Sequence, residues 1–171
     1  GENRPEWLAA FWGAVARGVE VVPVDFRFSL ELVRRIQAES GTTLLVYGNS
    51  VDAAKISGER IHYDEIAALS NSPLTTASIS GDDVVEIVYT SGTTGEPKGI
   101  VHRHRNLCAN LNPFQREILK YRKWATPFQP VRMLNLLPLS HMFGQSMGLF
   151  IPILFGGAVA FTEELRPGAI I

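Results

Sequence analysis

Between Tyr89 and Gly99 the chain reads Tyr-Thr-Ser-Gly-Thr-Thr-Gly-Glu-Pro-Lys-Gly, which places four hydroxyls, three glycines and one lysine within Thr90 to Gly99. Glycines let backbone N–H groups approach an anion closely, hydroxyls supply neutral donors, and an ammonium adds a compact charge. The chemistry these residue types serve together is the binding of a polyphosphate. The candidate phosphate ligands are Thr90, Ser91, Gly92, Thr93, Thr94, Gly95 and Lys98.

A Walker A loop would do the same work, but its spacing is absent. That motif needs glycine, four residues, glycine, lysine and then a hydroxylic residue leading into a helix. Here the fifth position after Gly92 is Pro97, and Lys98 is followed by Gly99-Ile100-Val101-His102, which reads as a strand. No helix dipole can be aimed at the anion from such a place, so hydroxyls, amides and Lys98 must bind it. A plain hairpin turn is the alternative, although a turn needs only one or two such residues.

Stepping outward, Val84-Val85-Glu86-Ile87-Val88-Tyr89 is a β-branched run bounded by Gly81-Asp82-Asp83, and is predicted to be a buried strand that delivers the loop. A second stretch repeats the arrangement. Val131 to Leu137 predicts a strand ending at Pro138-Leu139-Ser140-His141-Met142-Phe143-Gly144-Gln145, with His141 as the polar residue able to reach a substrate. Gly148 to Phe155 then predicts an apolar helix and Ala158 to Phe161 a strand.

Ahead of these, Asn3 is the expected cap of a core helix carrying Trp7, Leu8, Phe11, Trp12 and Val15, ended by Gly18. Glu20 to Asp25 predicts a short strand with Pro23 near an edge. Ser29 caps a helix with Leu30, Val33 and Ile36 on one stripe, ended by Gly41, and Thr43 to Tyr47 follows as a strand. Asn49 to Ile56 predicts a weak helix, Arg60 to Tyr63 a short strand, and Asp64 the cap of a helix ending near Leu69, before a connector from Ser70 to Asp83. Beyond the loop, Asn106 is the expected cap of a helix carrying Leu107, Leu111, Phe114, Ile118 and Tyr121, with a kink or break near Asn112 because Pro113 removes a hydrogen bond. Lys120, Arg122 and Lys123 at its end read either as a solvated terminus or as a site for a phosphorylated acceptor. Strands alternating with helices define an α/β fold with a mostly parallel sheet and flanking helices, in which ligands sit beyond the carboxyl ends of strands.

The 171 residues are 46% apolar and 19% charged, enough to bury an ordinary globular core. A net charge of -1 offers no field for nucleic acid. The one cysteine, Cys108, has no internal partner for a disulfide and is expected to be a buried small hydrophobe on a helix. From Met133 to Thr162 the only titratable residue is His141, yet prolines, polar residues and Gly156-Gly157 keep any apolar run short of the roughly 20 residues a spanning helix needs. With no signal-like start, the expectation is a cytoplasmic protein without a transmembrane segment.

Two motifs about forty residues apart, Tyr89 to Gly99 and Leu137-Pro-Leu-Ser-His141-Met-Phe-Gly144, are together similar to the signature blocks of the adenylate-forming enzymes. That superfamily comprises acyl-CoA synthetases, luciferases and peptide-synthetase adenylation domains. Asn3-Arg-Pro-Glu-Trp7 and Val21-Val-Pro-Val-Asp25 resemble an earlier block, so the resemblance covers nearly the whole chain, and the wording Pro-Leu-Ser-His-Met-Phe resembles fatty acyl-CoA synthetases most. The resemblance implies a large N-terminal AMP-binding domain and a two-step reaction. A carboxylic acid and Mg-ATP give an acyl-adenylate and pyrophosphate, and the acyl group then passes to a thiol, usually that of coenzyme A. By the same resemblance the Thr90 to Lys98 loop holds the ATP phosphates, and His141 is the catalytic residue near the reacting carboxylate. His141, Met142, Phe143, Gly144 and Gln145 line the acyl pocket, and Thr90 is the one hydroxyl offered to magnesium.

The family's adenine, ribose and acidic magnesium-binding segments, its hinge and its adenylation lysine have no counterpart in 1–171, so the chain is expected to be part of such a domain and inactive alone. The expected partners are small molecules: ATP, a carboxylic acid and coenzyme A. Two other classes stay open, a P-loop-like NTPase or kinase and a non-catalytic scaffold.

Overall fold

The computed structural model describes residues 1–69, 75–91 and 97–162. Among the described residues fifteen elements follow one another as helices, helical turns and strands in an α/β order, and the chain divides into two compact units, Gly1–His104 and Arg105–Ile171.

In the first unit, helix α1 spans Pro5–Ala16. Proline at its first position fixes φ for the helix start, so the cap falls on Arg4 and not on Asn3, without a side-chain capping bond. Arg4 instead reaches Glu6 at 3.1 Å and Asp64 at 3.0 Å. Trp7 stacks on Phe11 with ring centroids 5.5 Å apart, and both are buried as expected of a core stripe, whereas Trp12 is exposed. Helix α2, Leu30–Ser40, is capped as its sequence predicts: Ser29 Oγ accepts from the Leu32 N–H at 3.3 Å, and the helix ends at Gly41. Its Ile36 is buried, a side chain worth roughly 2–3 kcal/mol by transfer.

Strand β1, Leu44–Tyr47, pairs in parallel with β2, Glu59–His62, and a short 3₁₀ turn at Ala53–Lys55 replaces the weak helix expected between them. Helix α3, Tyr63–Ile66, is capped by His62 and not by Asp64. The His62 imidazole accepts from the Asp64 N–H while the Glu65 carboxylate accepts from the His62 N–H, a reciprocal pair that supports a helix too short to stand alone.

Strand β3, Val84–Ser91, pairs antiparallel with β4, Pro97–Arg103. The expected strand over Glu20–Asp25 contracts to one parallel bridge, Val21 with Glu86, because Pro23 has no N–H to extend the ladder. Val21 nonetheless donates to Val85 O and accepts from the Ile87 N–H at 3.0 and 2.9 Å, so β3 is bonded on both edges near Glu86.

The second unit carries helix α4, His104–Ala125, which passes through Pro113 unbroken. Pro113 and Ala109, the residue whose carbonyl loses its partner, are both exposed, so the disturbance lies away from the buried side of the helix. Leu107 and Ile118 are buried, whereas Cys108, one position round the helix from Leu107, is exposed and not the buried hydrophobe expected. Lys120 pairs with Glu117 at 2.5 Å and Lys123 lies 5.3 Å from the Trp124 ring centroid, the geometry of a solvated helix end. Strand β5, Arg132–Asn135, pairs in parallel with β6, Ala158–Phe161. Between them helix α5, Met142–Gln145, runs through a π turn at Ser146–Phe150 into α6, Ile151–Phe155, so the predicted helix starts already at Met142. Among the described residues no helix is long and apolar enough to cross a membrane.

Candidate functional site

The hydroxyl- and glycine-rich motif begins in β3 and ends in β4. Residues 92–96, and with them Gly92, Thr93, Thr94 and Gly95, lie outside the described residues. What is described is the mouth. Thr90 pairs with Lys98 and Ser91 with Pro97. Side chains alternate along a strand and directly opposed residues share a face, so Thr90 and Lys98 stand side by side on one face. Both are exposed, and the hydroxyl and the ammonium are presented together to the solvent.

The opposite face explains Gly99. Its cross-strand partner is Tyr89, which is buried, and a Cβ built at Gly99 would fall 2.9 Å from Ile87 Cγ2 and 3.1 Å from Tyr89 Cζ. The tyrosine ring thus occupies the space that a side chain at position 99 would need. Burial raises the Tyr89 pKa, with a smaller contribution from the charge of Glu39, so its phenol stays neutral and packs as a hydrophobe.

Lower on the hairpin sits a pair that the sequence reading passed over. Glu86 is fully buried and faces His102, with Oε1 and Nδ1 3.8 Å apart. Burial lowers the His102 pKa, which keeps the imidazole neutral at pH 7. Glu86, His102, Thr90 and Lys98 share one face, the first pair at its buried end and the second at its open end. A signal was available: Glu86 is the one charged residue inside an otherwise apolar run.

The second motif is built in the other unit. Asn135, buried at the end of β5, donates from Nδ2 to Leu137 O at 3.0 Å and accepts from the Leu137 N–H at 3.2 Å, closing a tight turn after the strand. The chain folds back again as the His141 N–H bonds Pro138 O at 3.2 Å, and His141 O accepts from Gln145 at 3.0 Å. Gly144 makes this possible. A Cβ there would lie 1.9 Å from Pro138 O, a backbone atom that cannot rotate away.

His141 itself is exposed at the start of α5. The five residues proposed as an acyl pocket do not share one surface. One helical turn spreads them, with Phe143 63% exposed, Met142 half-buried, and Gly144 and Gln145 buried.

Among the described residues no group of three His, Cys, Asp or Glu side chains could hold a metal ion. Magnesium keeps several waters and is held by one or two carboxylates plus phosphate oxygens. The exposed Thr90 and Lys98 suit the phosphates, but the described residues supply no acidic set for the metal.

The profile of the AMP-binding enzyme family matches residues 1–170. Among curated proteins, the D-alanine–D-alanyl carrier protein ligase of Streptococcus pneumoniae is 30% identical over 95% of this chain and 31% of its own length. The long-chain-fatty-acid–CoA ligase FadD13 of Mycobacterium tuberculosis is 29% identical over 86% of this chain and 31% of its own. The chain therefore spans about a third of the length of these relatives. Among solved structures, MatB from Rhodopseudomonas palustris with ATP bound superposes with a TM-score of 0.77 at 22% identity, covering 99% of this chain and 35% of that one. The o-succinylbenzoate coenzyme A synthetase of Bacillus subtilis, in complex with ATP and a magnesium ion, gives 0.73 at 22% identity over 99% and 44%. At such identities the structures speak to the fold, which they share with this chain. On the family match, the chain belongs to the AMP-binding enzymes.

Proposed function

We propose that the protein activates a carboxylic acid with ATP, forming an acyl-adenylate and releasing pyrophosphate, and then passes the acyl group to the thiol of coenzyme A. The observation that carries this reading is the pairing of Thr90 with Lys98 at the open end of an antiparallel hairpin. In the first step a carboxylate oxygen bonds to the α-phosphorus as the bond to the bridging oxygen of pyrophosphate breaks. The leaving group gains negative charge, so catalysis is a matter of positioning and of fixed donors at that charge. Lys98 supplies the positive charge, with Thr90, Ser91, Thr93, Thr94 and the amides of Gly92 and Gly95 as donors. Magnesium accompanying the nucleotide would supply charge neutralisation at the phosphates, and Thr90 is the residue of this chain that would face it.

His141 is assigned to the acid's side of the reaction, with Met142, Phe143, Gly144 and Gln145 as its neighbours. Of these, Gly144 and Gln145 act from below by shaping the turn, and Phe143 by contact. A fatty acid is the favoured substrate, supported by the likeness to a long-chain-fatty-acid–CoA ligase. The likeness to a D-alanine–carrier protein ligase supports a second reading, an amino acid passed to a carrier protein. A kinase-like use of the loop is disfavoured by its setting, since a strand and not a helix follows Lys98.

The test is product analysis on the intact protein with ATP, magnesium and panels of fatty acids or D-alanine. The proposal expects AMP and pyrophosphate in amounts that depend on the acid, with fatty acyl-CoA formed when coenzyme A is added. ADP as the product overturns it, and turnover with D-alanine alone favours the second reading.

A further inference from the structure

A slot of about 400 Å³ lies inside the first unit. Native interiors hold few voids larger than a water molecule, so a space of this size is a seat for something. Its lining shows what. Side chains alternate across a strand, so a cavity lying over a sheet face touches every second residue. This slot is lined by every residue from 19 to 25 and by all of β1, Leu44–Tyr47. Unbroken runs of this kind mean that two strand edges, and not strand faces, border it.

The backbone agrees. Val21 donates to Val85 O at 3.0 Å and accepts from the Ile87 N–H at 2.9 Å, so its polar groups point to β3. Along an extended chain these groups alternate between the two edges, which turns those of Val22 and Val24 toward the slot. Among the described residues neither has a backbone hydrogen-bond partner. Across the slot, Thr43 O accepts from the Glu59 N–H at 2.9 Å, so Leu45 and Tyr47 face β2 while Leu44 and Val46 face the slot. Backbone N–H and C=O groups drawn into a fold are almost always paired, and a gap with such groups along both walls is a template for a strand.

We propose that one further β-strand of this protein's own chain, from outside residues 1–171, fills this slot. The place is internal, since Trp7 and Phe11 of α1 and Val33 and Ile36 of α2 line it between the two edges. A strand from another molecule adds at the outer edge of a sheet, whereas this one must be laid between two strands as the chain folds. Gly1 lines the slot too, so polypeptide joined to its amine runs directly into it. The β1–β2 pair is parallel, as is the bridge of Val21 with Glu86, which suits a parallel occupant covered by helices. Such strands read as near-continuous runs of valine, isoleucine and leucine. Filling the slot joins two two-stranded sheets, each a marginal unit alone, into one of order β2, β1, occupant, residues 20–25, β3 and β4. The strand pair that carries Thr90 and Lys98 then stands on a continuous sheet.

The intact protein, prepared with photo-leucine in place of leucine as a mixture of isotope-labelled and unlabelled molecules, tests this. After irradiation, mass spectrometry identifies the segments joined to Leu44 and Leu45, and amide hydrogen exchange is followed in unirradiated protein. Besides β2, both leucines are expected to join one short apolar segment preceding Gly1, within single molecules. The amides of Val22, Val24 and Val46 are expected to exchange about a hundredfold or more slower than those of the exposed Ser78 and Ile79. Cross-links from β1 to residues 20–25 would mean a closed gap, and links between labelled and unlabelled molecules a strand from a second copy; either overturns the proposal. Links to β2 alone, or amides of Val22 and Val24 as fast as those of Ser78, overturn it as well.

Discussion

The ring of Tyr89 lies across its partner Gly99, filling the volume that a side chain at position 99 would take. A glycine two residues from the start of β4 is thus a packing requirement of the strand pair. Lys98 and Gly99, adjacent in sequence, serve opposite faces.

Gly99→Ala is expected to lower stability by about 1–3 kcal/mol, because Ile87 and Tyr89 must move several tenths of an ångström. Urea denaturation measures this, and KM for ATP is expected to rise along with the loss as the mouth of the hairpin shifts.

Gly144→Ala is expected to be worse. The obstacle there is the carbonyl oxygen of Pro138, so the turn that positions His141 must open. A loss above about 3 kcal/mol, in the range reserved for exceptional single substitutions, is expected in the same denaturation series, with KM for the carboxylic acid raised in whatever folds.

Phe143→Ala separates contact from structure. The ring is 63% exposed, and removing it is expected to change stability by no more than about 0.5 kcal/mol. If the ring touches the acid, KM for a long acid rises while KM for ATP does not; kinetics with acids of increasing length check this.

The pH dependence of stability carries the mark of His102. Its folded-state pKa is depressed by burial, so the folded protein binds a proton at that site less readily than the unfolded chain. Stability from this group is complete above the unfolded value of about 6.5, and is lost as pH falls through the lower folded value. Melting temperatures at pH 7.5, 6.5 and 5.5 are expected to fall less steeply at the acid end for His102→Gln than for the wild type.

Much of this architecture was legible in the residues. Ser29 as a cap, Gly41 as a helix end, and the strands running through Val84, Ile100 and Ala158 all follow from local rules. Local rules failed where a neighbour decided the outcome. Arg4 displaced Asn3 because of Pro5, His62 displaced Asp64 by pairing with Glu65, and α4 crossed Pro113 on its exposed side. At the site, residue type suggests phosphate binding by Thr90 and Lys98, a role that stays a proposal, but does not reveal that the two stand opposite one another. That depends on a bulge at Val85, and a bulge is a property of two strands at once. The same holds for Gln145, whose position in a pocket motif does not reveal that it is fully buried.

The central claim is that the hairpin holds the departing pyrophosphate, and Lys98→Ala in the intact protein tests it most directly. Single-turnover rates are measured separately for acyl-adenylate formation from ATP and acid, and for thioester formation from preformed acyl-adenylate and coenzyme A. Removal of one preorganised charge is expected to slow the first step by about 10²–10³-fold and to leave the second within about threefold, since no pyrophosphate is present there. Equal losses in both steps, or a first step as fast as in the wild type, would contradict the account.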